Sequence, residues 1–387
     1  MTGNKGSDQD FPPRFRPRPG SGDPALRPTG PTGANPDPDP DPDTTLLGVM
    51  DISAFCSQSR VLIVAGKGGV GKTTMVASMA HLAARAGLSV LVVELEGRTG
   101  VATAFGHETA LDYAGSVLRA AGAAPVGDDA DPTRAIPKGT VQARTITPDD
   151  ALLEYLADHG LRRVSKRLLS SGIIDIVAGA IPGIRDILVL GKVKQIERSR
   201  VADLVLVDAP ATGHTMTFLS SAGGLLDAAR SGPIRAQAAE VVALLSDPAR
   251  CQVALVTLPE EMPVNEAIEA AYGLEDKVGV ALGPMIVNGC YPPSEALGTP
   301  AAEAVRTAGV ELEPSLVAAL EEARRFRFTR EQLQQEQLDR LAHQLPLPQL
   351  RVPFLFTASI GPAELEVLTD ALAAGVEALH DPATAST

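Results

Sequence analysis

The nine residues 66-GKGGVGKTT-74 carry the densest chemistry in this chain. They follow an apolar β-branched run, residues 60–65, and open a segment of helical character, residues 73–86. Strand, glycine loop and helix in that order make a cradle for phosphate. Gly68, Gly69 and Gly71 let backbone N–H groups turn inward around an anion, and the positive helix end adds to the attraction. Lys72 is spaced to reach the β and γ oxygens of ATP, and the Thr73 hydroxyl to ligate Mg²⁺. Gly66, Val70 and Thr74 complete the loop. Lys67 fills a position that a general phosphate loop leaves open.

A second constellation is 208-DAPATGHTMTFL-219, at the end of the apolar run 203–208. An Asp at the carboxyl end of a strand beside the loop strand is placed to hold the water shell of Mg²⁺, so Asp208 is the expected metal-side acid. Thr212, Gly213 and His214 follow it. Gly213 lets the backbone respond to a γ-phosphate. A lone His carries no metal geometry, and His214 reads as a conformational or hydrogen-bonding residue. Cys56, Cys251 and Cys290 are odd in number and lack CxxC spacing, which excludes a disulfide framework, a zinc site and an iron–sulfur cluster. Cys290 reads as a small buried filler.

These groups need a scaffold that brings several strand ends together. Apolar runs at 60–65, 89–95, 203–208, 252–258, 280–288 and 350–356 alternate with helical segments at 73–86, 148–159, 261–273 and 314–344. Continuous apolar strands alternating with helices imply a parallel sheet covered on both faces. The expected fold is therefore α/β, a doubly wound and mostly parallel sheet, with ligand at the carboxyl ends of the strands. Residues 1–45 hold eleven of the 31 prolines and alternate Pro with Asp near their end, so they form a tail that cannot bury a core. Residues 46–387 form one domain, with a Gly/Ala/Pro/Asp loop at 120–138 and a helical subdomain at about 150–199. No internal repeat is visible, so one nucleotide site is expected per chain.

Composition narrows the partners. A net charge of -13 opposes binding through phosphates of a nucleic acid and opposes a polybasic membrane surface. The opening residues lack the apolar core of a signal peptide, and the apolar stretch 172–191 is broken by Asp175, Pro182, Arg185 and Asp186. The expectation is a cytoplasmic protein without direct membrane insertion. With 44% hydrophobic and only 3% aromatic residues, its core is built from Leu, Val, Ile and Ala.

The loop G-K-G-G-V-G-K-T-T resembles the deviant Walker A class, which includes nitrogenase iron protein, septum-site and partition ATPases, arsenite-pump ATPases and tail-anchored-protein targeting ATPases. The D-x-x-x-T-G-H-T spacing from Asp208 resembles switch II of the arsenite-pump and GET-pathway group. Further matches lie in order over about 61–379. Residues 94-ELEGRTGVATAF-105 look like switch I, Pro182-Gly183-Ile184 like a segment upstream of switch II, and Pro259, Glu260 and Glu266 like a P-E-x-L-x-x-x-E pattern. The resemblance implies that Lys67 reaches across a dimer interface to the partner's nucleotide. It implies that Glu96 takes the place of the Asp that orients attacking water, that Asn288 reads adenine, and that Glu260 and Pro353 lie on the nucleotide side. The departures are Glu for Asp at 96, Gly97-Arg98 for Pro-Ala, no interface CxxC, and little room at 213–250 for a Met-rich client-binding insertion. The chain is thus most similar to bacterial single-domain ArsA-like ATPases.

That resemblance implies an Mg-ATP-hydrolysing switch, a homodimer or a heterodimer with a paralogous subunit, acting on a client or membrane partner protein. Two alternatives stand beside it: a partition or septum-site type positioning ATPase, and a nucleotide-gated regulatory scaffold with negligible turnover.

Overall fold

The computed structural model describes residues 50–95, 100–108, 110–120, 134–158 and 183–379. The proline-rich stretch 1–45, most of the 120–138 loop, the centre of the helical subdomain expected at 150–199, Pro182 and Glu96 lie outside the described residues.

Nine strands form one sheet: β1 (Val61–Gly66), β2 (Val90–Glu94), β3 (Ser116–Arg119), β4 (Val141–Thr145), β5 (Leu204–Ala211), β6 (Cys251–Thr257), β7 (Ala281–Leu282), β8 (Met285–Cys290) and β9 (Gln349–Pro353). Their order is β3-β4-β2-β5-β1-β6-β8-β9, with β7 pairing β6. Every pairing is parallel except β3 on β4. β1 and β2 are buried along their whole length, which is why their sequences are continuously apolar rather than alternating.

Helices cover both faces. One face carries Val64, Val92, Leu206, Val256 and Ile286 and packs on α1 (Ile52–Cys56), α2 (Lys72–Arg85), α3 (Gly100–Ala104) and the C-terminal α11 (Pro362–Glu377). The opposite face carries Ile63, Val93, Val207, Leu255 and Val287. It packs on α4 (Pro148–Asp158), α5 (Ile184–Ser199), α6 (Thr212–Ala228), α7 (Pro233–Leu245), α8 (Glu261–Gly273) and the end of α10 (Pro314–Gln344). A short α9 (Ala301–Thr307) precedes α10. This is the doubly wound architecture expected, and both chemical loops follow the carboxyl-terminal parts of adjacent central strands, β1 and β5.

Three strand readings change. The run expected as one strand at 280–288 is two, because Pro284 has no N–H to offer a ladder. Gly283 N–H still bonds Val253 O at 2.9 Å, whereas Met285 N–H bonds Pro348 O at 2.8 Å, so the chain passes from the β6 side to the β9 side there. β3 and β4 were not foreseen. β3 is a four-residue edge strand, and β4 carries Gln142 and Arg144. Arg144 is buried because its guanidinium lies 4.4 Å from the centre of the Tyr113 ring.

Candidate functional site

The loop is shaped by two glycines that nothing else could replace. Gly66 ends β1 at φ 157°, and a Cβ there would run into the Val256 carbonyl oxygen on β6. Gly71 sits at φ 92° as the N-cap of α2, and a Cβ there would strike the Asn288 amide. Asn288 closes on the loop by donating from Nδ2 to the Val70 carbonyl at 3.0 Å. α2 has no side-chain cap and no acid in its first turn, so its leading N–H groups face the loop.

Lys72 is buried, and its Nζ donates to the Lys67 carbonyl at 3.1 Å. The loop therefore holds its own lysine over the cradle. Thr73 Oγ1 donates to Asp208 Oδ2 at 2.7 Å, joining the start of α2 to β5. Thr74 accepts from Ser78 Oγ at 3.0 Å through its carbonyl, an ordinary helical contact. Lys67 Nζ lies 2.5 Å from Glu266 Oε1 on α8.

Glu94 is a residue that the sequence reading passed over. It ends β2, is 1% exposed, and pairs in register with Asp208 on β5. Registered residues of parallel strands point to the same face, about 4.8 Å apart. The parity of Val92 and Leu206 puts both carboxylates on the α2 side, where Thr73 meets Asp208. α3 closes the same corner, since a Cβ on Gly100 would meet Thr73 Cγ2 at 2.7 Å. The available signal was an acid, Glu94, closing a continuously apolar strand.

After Asp208 the chain turns into α6. Thr215 Oγ1 donates to the Pro210 carbonyl at 2.6 Å, and the buried Thr212 Oγ1 has no partner among the described residues. His214 is exposed. Gly213 lies in the first turn with open space beside it, so this conformation does not itself demand glycine there.

The other expected nucleotide-side residues are spread out. Glu260 is the N-cap residue of α8 and lies 3.7 Å from Arg330 of α10. Pro353 ends β9 and lines a cavity of about 470 Å³ with Cys290, Tyr291, Gln334 and Arg351. Aromatic residues gather at its rim. Tyr291 stacks with Phe356 and packs at a tilt of 58° on Phe354, and Arg327 lies 3.9 Å from the centre of the Tyr291 ring. Burial pushes the Cys56 and Cys251 thiols up to about 12 and Cys290 up to about 11, so all three stay protonated near neutrality. Among the described residues, no group of three or more His, Cys, Asp or Glu could share a metal ion. No described helix is long and apolar enough to cross a membrane.

The chain is similar in sequence to several known proteins. The profile of the CobQ/CobB/MinD/ParA nucleotide binding domain matches residues 61–338. The chain is 34% identical over 280 residues to ATPase BagA of Mycobacterium tuberculosis, covering 67% of this chain and 77% of that one. It is 27% identical over 251 residues to the arsenical pump-driving ATPase of Acidiphilium multivorum, covering 63% and 37%. It is 29% identical over 164 residues to ATPase get3 of Schizosaccharomyces pombe, covering 41% and 42%. With a glycine loop on β1, an acid on the adjacent β5 and a profile match over most of its length, the chain belongs to the CobQ/CobB/MinD/ParA nucleotide-binding family.

Proposed function

We propose that this chain binds Mg-ATP in the 66–74 loop and hydrolyses it as one half of a dimer that closes on nucleotide. The observation that carries the reading is the joint placement of Lys72 and Thr73: one lies over an uncapped helix start, the other on the Asp208 carboxylate of β5.

The donors fit Mg²⁺. The Thr73 hydroxyl and the Asp208 carboxylate are hard oxygens on one side of the loop, and Glu94 sits in register with Asp208 on the next strand. Thr73 would ligate the ion, with Asp208 and Glu94 holding its waters. Mg²⁺ neutralises charge on the β and γ oxygens when bound. The protein's own part is to orient and to exchange contacts. Lys72 leaves the Lys67 carbonyl for the phosphate oxygens, and the Gly68–Gly71 amides and the α2 start take the β-phosphate. Asn288 braces the loop from the adenine side, with Glu260 and Pro353 farther out on that edge. Glu96 orients water, and the turn Thr212–Gly213–His214 moves with the γ-phosphate. Lys67 acts on the partner's nucleotide. The partner is a second copy or a paralogous subunit, and closure is coupled to a client protein, a reading supported by similarity to an arsenical pump-driving ATPase.

Lys72→Ala tests the site. Removing one member of a buried charge pair costs at least about 2 kcal/mol, or about thirtyfold in affinity. Calorimetric titration with Mg-ATP should show that loss. Wild-type affinity in the variant would take the loop out of the binding site.

A further inference from the structure

Asn288 and Cys290 lie two residues apart on β8 yet face opposite sides of the sheet. Asn288 turns to the phosphate loop on the α2 face, and Cys290 packs against the core on the other. A regular strand puts two such residues on one face. The register gives the reason. Val287 pairs with Arg351 and Cys290 with Pro353, so β8 advances three residues while β9 advances two. The extra residue makes a β-bulge at Asn288–Gly289, with Gly289 at φ 72°.

One side chain takes the backbone groups that the ladder gives up there. Cys290 O accepts from Phe354 N–H at 2.9 Å on the β9 side. Neighbouring residues of a strand point their polar groups to opposite sides. Gly289 O and Tyr291 N–H therefore face where β6 has already ended, with its last residue Thr257 opposite Val287. Gln334 of α10 fills that gap. Its Nε2 donates to Gly289 O at 3.1 Å, and its Oε1 accepts from Tyr291 N–H at 2.8 Å. The amide stands in for one rung of a strand that is not there. Its place is set by the core, since Gln334, Leu338 and Leu341 form the buried edge of α10.

We propose that Gln334 is a positioning residue for base recognition, which holds the bulge so that Asn288 meets the nucleotide. The proposal rests on the reading that Asn288 reads adenine. The Val70 carbonyl can only accept, so the Asn288 atom 3.0 Å from it is Nδ2. That leaves Oδ1, an acceptor, for the base. An acceptor suits the 6-amino group of adenine and gains nothing from a purine that lacks one. Gln334 acts on this choice only through the backbone at 289–291, from 45 residues along the chain.

The size of the effect follows from the one contact at stake. A neutral hydrogen bond changes an affinity by about two- to tenfold. Gln334→Met keeps the length of the side chain but leaves Gly289 O and Tyr291 N–H without their partner. Buried backbone groups do not stay unpaired, so the bulge shifts to satisfy them and Asn288 loses its fixed direction. Affinity for the amino-bearing base then falls, while the phosphate contacts stay.

The test is calorimetric titration of the full-length protein with Mg-ATP and with the Mg-triphosphate of purine riboside, which lacks only the 6-amino group. Wild type, Gln334→Met, Asn288→Ala and the double variant are compared, and the ratio of the two affinities is the readout. Wild type should prefer ATP by about two- to tenfold. Gln334→Met should remove about half of that preference or more, bind the purine riboside nucleotide like wild type, and change nothing further once Asn288 is Ala. A merely structural role would weaken both nucleotides together and leave the ratio alone. Should Gln334→Met fail to fold, Gln334→Glu carries the test: it keeps the acceptor for Tyr291 N–H, loses the Nε2 donor, and should lower the preference in part. A wild-type ratio in the folded variant, or an equal fall in the Asn288→Ala background, overturns the role of Gln334 and leaves Asn288 its own. A wild-type protein with no preference, or a preference that survives Asn288→Ala, overturns the reading of Asn288 instead.

Discussion

Two carboxylates in register on neighbouring strands of a buried sheet face repel each other, and a cation bound between them relieves that repulsion. Glu94 and Asp208 are such a pair, and Thr73 fixes where the shared charge belongs. Asp208 could be read in the sequence because it ends an apolar run and opens a distinctive turn. Glu94 could not, since Glu96 two residues on offers the same carboxylate and only the pleat assigns Glu94 to the α2 face. Glu94→Gln keeps the shape and removes one charge. If it helps hold the waters of Mg²⁺, about 10–100-fold more Mg²⁺ should be needed to support ATP binding, the usual effect of losing an outer-shell partner. Nucleotide affinity in EDTA should not fall. A titration of ATP affinity against Mg²⁺ that overlays wild type would make Glu94 a purely structural acid.

At the scale of elements, the parallel strands and the long helices were legible because burial on both faces leaves uninterrupted apolar runs. The helix at Glu261–Gly273 could be bounded by its neighbours in sequence. What escaped were elements whose residues are explained only by distant contacts: β4 with a buried Arg under Tyr113, and the break between β7 and β8 at Pro284. The loop shows both cases at once. Its glycines announce a phosphate cradle, but the reason for each one is tertiary. Gly68 is outside the left-handed region with open space beside it; Gly69 has φ 86° and open space; Gly71 has φ 92° and the Asn288 amide against it. Alanine substitutions should therefore be graded when unfolding is measured without nucleotide. Gly68→Ala should stay within about 0.5 kcal/mol, and Gly69→Ala should lose about 1–2 kcal/mol for the left-handed backbone. Gly71→Ala should lose more, because Asn288 must also move. Denaturant midpoints give the order directly, and a Gly71→Ala no worse than Gly69→Ala would mean that Asn288 does not brace the loop.

For the whole molecule, the decisive matter is whether one chain completes another's site. Within the described chain Lys67 points away from the loop that it flanks, toward α8. A lysine so placed adds nothing to its own phosphate cradle, whereas a partner chain facing the same sheet edge could receive it. Lys67→Ala should then keep ATP binding but lose turnover and the ATP-bound dimer. Glu96→Gln should do the opposite to assembly: hydrolysis falls about 10²–10⁴-fold for loss of a water-orienting base, while closed dimer accumulates. Mixing the two variants gives the directional test. In a mixed homodimer, the site with Glu96 on its own chain and Lys67 from the partner is complete, and the other site carries both defects. With random pairing about half the dimers are mixed and each has one working site, so about a quarter of wild-type activity should return. Phosphate release and light scattering on the same samples read both quantities. Two inactive parents that recover activity only when mixed can do so only if the lysine works in trans. If the mixture stays as inactive as its parents, or Lys67→Ala turns over normally alone, each chain hydrolyses ATP with its own residues and Lys67 is a surface charge.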